Sequence, residues 1–195
     1  MIEILAGLGR TMGFSFAAGI NLYATVAILG LASRYGWVAL PEQYRVFDND
    51  WIIGVALVMY AVEFVADKIP WFDSVWDGVH TAIRPLGGAL IAIGTLGDAS
   101  PEMKTLVGLV GGTLAAGTHF TKAGTRAAAN TSPEPFSNWM LSLSEDVFVV
   151  SLGFLALKYP LVAAVVVLVA VVMMLVFATW IARAVRRRWR GRAVA

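Results

Sequence analysis

The chain has 195 residues, 58% of them hydrophobic and only 14% charged, whereas an ordinary soluble domain is about 25% charged. With a mean hydropathy of +0.73, this composition excludes most soluble folds, and a sequence without cysteine excludes disulfides, thiolate metal sites and a cysteine nucleophile. The net charge of +2 hides an asymmetry, because Arg183, Arg186, Arg187, Arg188, Arg190 and Arg192 fall in the last 13 residues and leave the remainder slightly acidic.

Six apolar spans are predicted, over residues 9–33, 50–66, 75–97, 101–125, 136–157 and 160–185. The clearest is the last: no charged residue occurs over 161–182, and a helix of that length rises about 33 Å against a hydrocarbon core of roughly 30 Å. Turn residues separate the spans at Pro41, Pro70, Asp98-Ala-Ser-Pro101, Ser132-Pro-Glu-Pro135 and Pro160. Asp50 and Ser137 or Asn138 are expected as caps of the second and fifth helices. The residues Met1-Ile-Glu-Ile-Leu5 carry neither a basic start nor a cleavage signal, so no removed signal peptide is expected.

Arginines directly after an apolar span read as a cytoplasmic anchor rather than a nucleic-acid tail. Six crossings then return the N-terminus to the same side, with Lys68, Lys122 and Arg126 inside and Arg34, Arg45, Lys104 and Lys158 outside. The expectation is a multi-pass protein of the bacterial inner membrane with both termini cytoplasmic. Residues 1–195 form one membrane domain, and 186–195 are its basic tail.

Two echoes suggest duplication. Phe16-Ala-Ala-Gly-Ile-Asn-Leu22 matches Leu114-Ala-Ala-Gly-Thr-His-Phe120 in pattern, and Asn49-Asp-Trp-Ile-Ile53 matches Ser137-Asn-Trp-Met-Leu141. Occurring in order and at half-chain spacing, they favour a 3+3 inverted repeat with halves of about 9–97 and 101–185. Asn21 and His119 would then be equivalent positions near the centre. The fold class expected is therefore all-α, a polytopic transmembrane bundle of about six helices.

An ionisable residue inside a span costs about 2.5 to 3.5 kcal/mol and needs a partner, water or a function. If the chain after Pro70 is helical, Asp73, Asp77, Thr81 and Arg84 form one polar stripe with His80 beside them. Glu63 and Asp67 lie one turn apart at the end of the second span. In the fourth span His119, Lys122, Arg126 and Asn130 recur on one face, as a basic ridge that faces the acidic stripe or a bound anion, or as inner-edge residues that snorkel. Glu145 and Asp146 come two turns into the fifth span. Asp67 and Lys68 read equally well as solvated loop charges. The alternative for the whole set is charge pairs buried for structure. The valine-rich sixth span is assigned to the lipid-facing periphery, and Gly108, Gly112 and Ala116 to close helix approach.

The runs Glu63-Phe-Val-Ala-Asp-Lys-Ile-Pro70, Asp73-Ser-Val-Trp-Asp-Gly-Val-His-Thr-Ala-Ile-Arg-Pro85, His119-Phe-Thr-Lys-Ala-Gly-Thr-Arg126 and Asn130-Thr-Ser-Pro-Glu-Pro-Phe-Ser-Asn138 resemble a bacterial membrane family catalogued as domain of unknown function 4126. The resemblance implies no activity and marks the polar segments as the family's distinguishing feature.

The function expected from the residues is transporter- or channel-like, with a small solute or ion passing a polar site between the halves. Its lining would be Glu63, Asp73, Asp77, His80, Arg84, His119, Lys122, Arg126, Asn130, Glu145, Asp146 and Asn21. The alternatives are a membrane scaffold or assembly partner and, third, an intramembrane lipid-modifying enzyme. With His80 and His119 on different segments there is no helical metal pair, and no nucleophile motif, phosphate loop or cofactor signature is present. Partners expected are the lipid bilayer and the small solute or ion, without nucleic acid; a homo-oligomer stays open.

Overall fold

The computed structural model describes residues 2–130 and 136–192, with side chains throughout except at Pro70, Ile181 and 184–192. Every regular element among the described residues is helical: α1 (Ile2–Ile20), α2 (Leu22–Tyr35), a short 3-10 turn (Glu42–Phe47), α3 (Asp50–Ala66), α4 (Pro70–Leu96), α5 (Pro101–Ala129), α6 (Phe136–Lys158) and α7 (Pro160–Arg192). Pro70 and Pro101 sit in the first turns of α4 and α5, where a missing N–H costs nothing, and α7 starts at Pro160 in the same way. Ser100 caps α5 through Met103 N. For α3 the cap is Asn49, which accepts from Trp51 N and Ile52 N, and the expected cap Asp50 is the first helical residue. Helix α6 begins at Phe136, so Ser137 and Asn138 lie inside it rather than capping it. The expected turn at Ser132–Pro135 and the tail residues 193–195 lie outside the described residues.

The largest correction concerns the first predicted span. Instead of one helix over 9–33, the chain breaks at Asn21, whose φ of −144° and ψ of 99° are extended. Asn21 N–H still closes α1 on the Ala17 carbonyl, and its own carbonyl accepts from Thr25 N. Its side chain accepts from Ala24 N and so caps α2. Helix α1 runs antiparallel to α4, since Thr11 meets Thr95 at 2.9 Å and Ser15 donates to the Gly88 carbonyl at 3.2 Å. Helix α2 runs back the other way: Leu22 faces Gly87, while Gly30 faces Phe47 and Ile53 at the start of α3, and the Phe47 ring reaches Gly94. Phe14 and Ile28, equally far from the break, both pack on Gly153. Helices α1 and α2 are therefore a hairpin whose tip descends about 15 Å below Thr11, to the middle of α4.

Five helices, α3 to α7, run alternately between two faces. One face holds the α4–α5 turn, the α6–α7 junction, the 3-10 turn and, through Gly9 against the Pro160 carbonyl, the beginning of α1. The other holds the α3–α4 turn, the end of α5 and the far end of α7. The first and last described residues consequently lie at opposite faces of the bundle. The expected repeat is not confirmed: a helical hairpin and two further helices occupy residues 2–96 and three continuous helices occupy 101–192, and Asn21 lies at a helix break whereas His119 lies within α5. Helix α5 also shows no break at Gly111-Gly112 or Ala116-Gly117.

The molecule is apolar outside and charged inside. Trp51, Val58, Leu90, Leu109, Val147 and Met173 are all exposed, whereas Glu63, Arg84, His119 and Arg126 are buried. A soluble protein shows the reverse. The helical stretches Trp71–Leu96, Phe136–Lys158 and Pro160–Trp180 are long and apolar enough to cross a membrane. Helix α7 buries Ala163 and Val167 and turns most of its valines outward. Its helix continues to Arg192, so the tail arginines extend the last helix. The core is the packing of α1, α4 and α5 on small residues, where Gly88 faces Ala115 and Gly111 faces Ala92.

Candidate functional site

The functional candidate is the buried charge network beneath the hairpin tip. Helix α4 starts at Pro70, earlier than the predicted Val75, and this extra turn brings Asp73 and Asp77 into register with Arg84 on its inner face. Arg84 is fully buried. Its Nη2 donates to Glu63 Oε1 of α3 at 2.7 Å, and its Nη1 donates to Asp77 Oδ1 at 3.1 Å and to His119 Nδ1 of α5 at 2.9 Å.

A guanidinium only donates, so His119 Nδ1 accepts and the ring proton sits on Nε2. That proton points to Thr81 Oγ1 at 3.2 Å, and the Thr81 hydroxyl donates to the Asp77 carbonyl at 3.0 Å. His80 Nδ1 lies 2.8 Å from the Trp76 carbonyl and donates to it, and its Nε2 lies 2.9 Å from the Tyr23 hydroxyl.

Helix α5 supplies the basic ridge. Lys122 Nζ reaches Asp67 Oδ2 at 3.0 Å, Glu63 Oε1 at 3.4 Å, Glu145 Oε2 at 3.5 Å and the Ile20 carbonyl at 3.2 Å. The last contact satisfies a carbonyl that α1 exposes where it ends. Arg126 forks onto Glu145, with Nη2 at 2.5 Å from Oε2 and Nε at 3.2 Å from Oε1, the bidentate geometry that makes such pairs strong. It also donates to Asp67 Oδ2 at 2.9 Å and to the Asp67 carbonyl at 2.7 Å, and it stands 3.6 Å from Asp73. Asn130 continues the chain to Asp73 at 3.1 Å and accepts from Asn138 at 2.6 Å. On the hairpin, Asn21 Nδ2 donates to Asp146 Oδ1 at 3.3 Å.

Of the residues expected to line a site, Glu63, Asp73, Asp77, Arg84, His119, Lys122, Arg126, Asn130 and Glu145 are linked through these contacts and Asp67, whereas Asn21 pairs with Asp146 and His80 with Tyr23 outside that linked set. Lys122 and Arg126 are buried and do not snorkel. Sequence reasoning underrated Asp67, which binds both ridge cations and is 3% exposed; its i, i+4 spacing from Glu63 was the available signal. It also missed Tyr23, Asn138 and Ser142, the last of which accepts from Lys68 at 3.3 Å.

The charges do not balance. Five carboxylates (Glu63, Asp67, Asp73, Asp77 and Glu145) share three cations, Arg84, Lys122 and Arg126, while Lys68 bonds to the Phe64 carbonyl and to Ser142, and Asp146 to Asn21. Glu63 Oε2, Asp67 Oδ1 and Asp146 Oδ2 are buried without a hydrogen-bond partner. Among the described residues no group of three His, Cys, Asp or Glu side chains is arranged to hold a metal ion. Two cavities touch the network. A crevice of about 260 Å³ between α4 and α5 is lined by Asp73, Asp77, Thr81 and Arg126. A larger one of about 600 Å³ among α1, α5, α6 and α7 reaches Lys122 and Glu145.

Fold and site together define a helical membrane protein with a buried ionic network at the tip of a helical hairpin. The chain belongs to the family described as Domain of unknown function (DUF4126), whose sequence profile matches residues 8–180. No curated protein and no solved structure matches it.

Proposed function

We propose that this chain is a multi-pass, transporter- or channel-like protein of the inner membrane, through which a small solute or ion passes at the buried charge network. The observation that carries this reading is the hairpin. A backbone break at membrane depth is tolerated only where protein or a water-filled cavity surrounds it, and discontinuous helices at the midplane typically form the binding sites of transporters. Here the break at Asn21 lies against Lys122 and Asp146, in a cluster with surplus carboxylate. The crevice at Asp73 and Asp77 supplies an approach from one face. With the terminal arginines cytoplasmic, that crevice faces the cytoplasm and the hairpin enters from the opposite side.

The test is charge displacement in proteoliposomes adsorbed on a solid-supported membrane, with concentration jumps of protons, sodium, potassium, ammonium, chloride and phosphate. Wild type is expected to give a current for at least one ion, and Asp77→Asn and Arg126→Gln to abolish it while eluting as folded protein. Absence of any wild-type current, or normal transport by both variants, overturns the reading. A structural scaffold is the competing reading, favoured by the complete pairing of Arg126 within the chain. It predicts a specific co-purifying partner, and loss of folding rather than of flux in these variants.

A further inference from the structure

The larger cavity has a chemistry of its own. Its volume of about 600 Å³ is that of a small-molecule site. Phe16, Phe148, Phe177, Met173 and Met174 form its wall, and Glu145 with Lys122 forms its one charged corner. Along α5 a second cavity of about 630 Å³ shares Thr121, Thr125, Met174 and Phe177 with it. The two form a groove along the α5–α7 seam, which lies among helices whose outer faces are apolar.

The corner is built of acceptors. Thr121 and Thr125 donate their hydroxyl protons to the Gly117 and Thr121 carbonyls at 2.9 Å each, so only their lone pairs remain for a ligand. Lys122 is committed to Asp67, Glu63, Glu145 and the Ile20 carbonyl, and its side chain is 3% exposed; that of Glu145 is 16% exposed. Glu145 is itself paired, with Oε1 on Arg126 Nε and Oε2 on Arg126 Nη2 and Lys122 Nζ, so the corner presents the remaining lone pairs of this carboxylate and of the two hydroxyls, backed by a network with more carboxylates than cations. Aromatic faces and polarisable thioethers complete the wall, and both favour a cation with an apolar body.

We infer that this groove is a binding site for an amphipathic organic cation, admitted from the bilayer between α5 and α7, with its charge at Glu145 and its apolar body among the phenylalanines and methionines. The inference rests on the proposed transport reading for the placement of α5 to α7 in lipid, but binding requires no flux.

The test is equilibrium binding of radiolabelled tetraphenylphosphonium to the purified full chain in a non-ionic detergent. Wild type should bind saturably and retain binding against excess dodecyl sulfonate. Ala170→Trp, which fills the cavity wall without touching an ion pair, should weaken binding about tenfold or more. Glu145→Gln, where it folds, should weaken it about as much. No saturable binding, equal competition by dodecyl sulfonate, or unchanged affinity in Ala170→Trp overturns the inference. Saturable binding with no ion current supports the site and removes the transport reading, and ion current without binding does the opposite.

Discussion

The segments Phe16–Leu22 and Leu114–Phe120 have nearly the same sequence pattern and opposite structures. The first ends a helix and turns back, while the second is a continuous stretch of α5. They touch each other: Thr118 Oγ1 lies 3.1 Å from the Phe16 carbonyl, and a Cβ on Gly19 would overlap Thr118 Oγ1 and the Ala115 carbonyl. The difference turns on one position. Asn21 has a short side chain whose oxygen reaches the backbone N–H three residues on, so it replaces the hydrogen bonding that a break costs. His119, at the matching place, aims its ring at Arg84 and Thr81 and leaves the helical backbone bonds intact. A shared apolar frame sets neither outcome; the polar side chain and its partner do.

The strongest way to break this arrangement is to remove what both segments meet. Arg84→Met leaves Glu63 buried against Lys122 alone and deprives Asp77 and His119 of their donor. Removing one partner of a buried pair costs about 3–5 kcal/mol, and at about 2–4 °C per kcal/mol for a chain of this size the unfolding midpoint in detergent should fall by on the order of 10 °C. Adding Glu63→Gln to Arg84→Met should recover part of that loss, because it removes the stranded charge. Gly19→Leu should be next: the new side chain meets α5 backbone, which cannot give way as a flexible side chain does, at a cost of about 1–3 kcal/mol. Asn21→Ala removes the cap and the bond to Asp146 at about 1 kcal/mol, whereas His119→Leu should leave α5 helical by hydrogen exchange. Smallest is Arg34→Ala. This arginine pairs with Asp48 and Asp50 at the surface, the hydrogen bond to Asp48 holds its already high pKa higher still, and its loss should leave the midpoint unchanged.

The site was more legible than the topology. Asp73, Asp77, Thr81 and Arg84 declare a stripe because helical spacing alone puts them on one face, and Lys122 and Arg126 do the same on α5. Which acid meets which base was not readable, since Glu63, Asp67 and Glu145 come from α3 and α6 and their approach depends on tertiary packing. Asp67 looked like a loop residue because a turn does follow it, but α5 packs over that turn. The hairpin stayed hidden because residues 9–33 have the length and apolarity of one crossing. A single capping asparagine inside an apolar run was the one local sign, and asparagine in a membrane helix has other uses. The duplication suggested by the echoes is not confirmed, as matching short motifs do not oblige the flanking helices to run the same way.

The central claim is that residues 2–35 enter and leave at the same face, delivering Asn21 to the charge network. With no native cysteine, single cysteines at Glu3, Glu42 and Arg183 can each be labelled with a membrane-impermeant maleimide in sealed vesicles of known orientation. The hairpin predicts that the positions at Glu3 and Glu42 label from one side and that at Arg183 from the other. Labelling of Glu3→Cys and Glu42→Cys from opposite sides would show a single crossing and contradict the account.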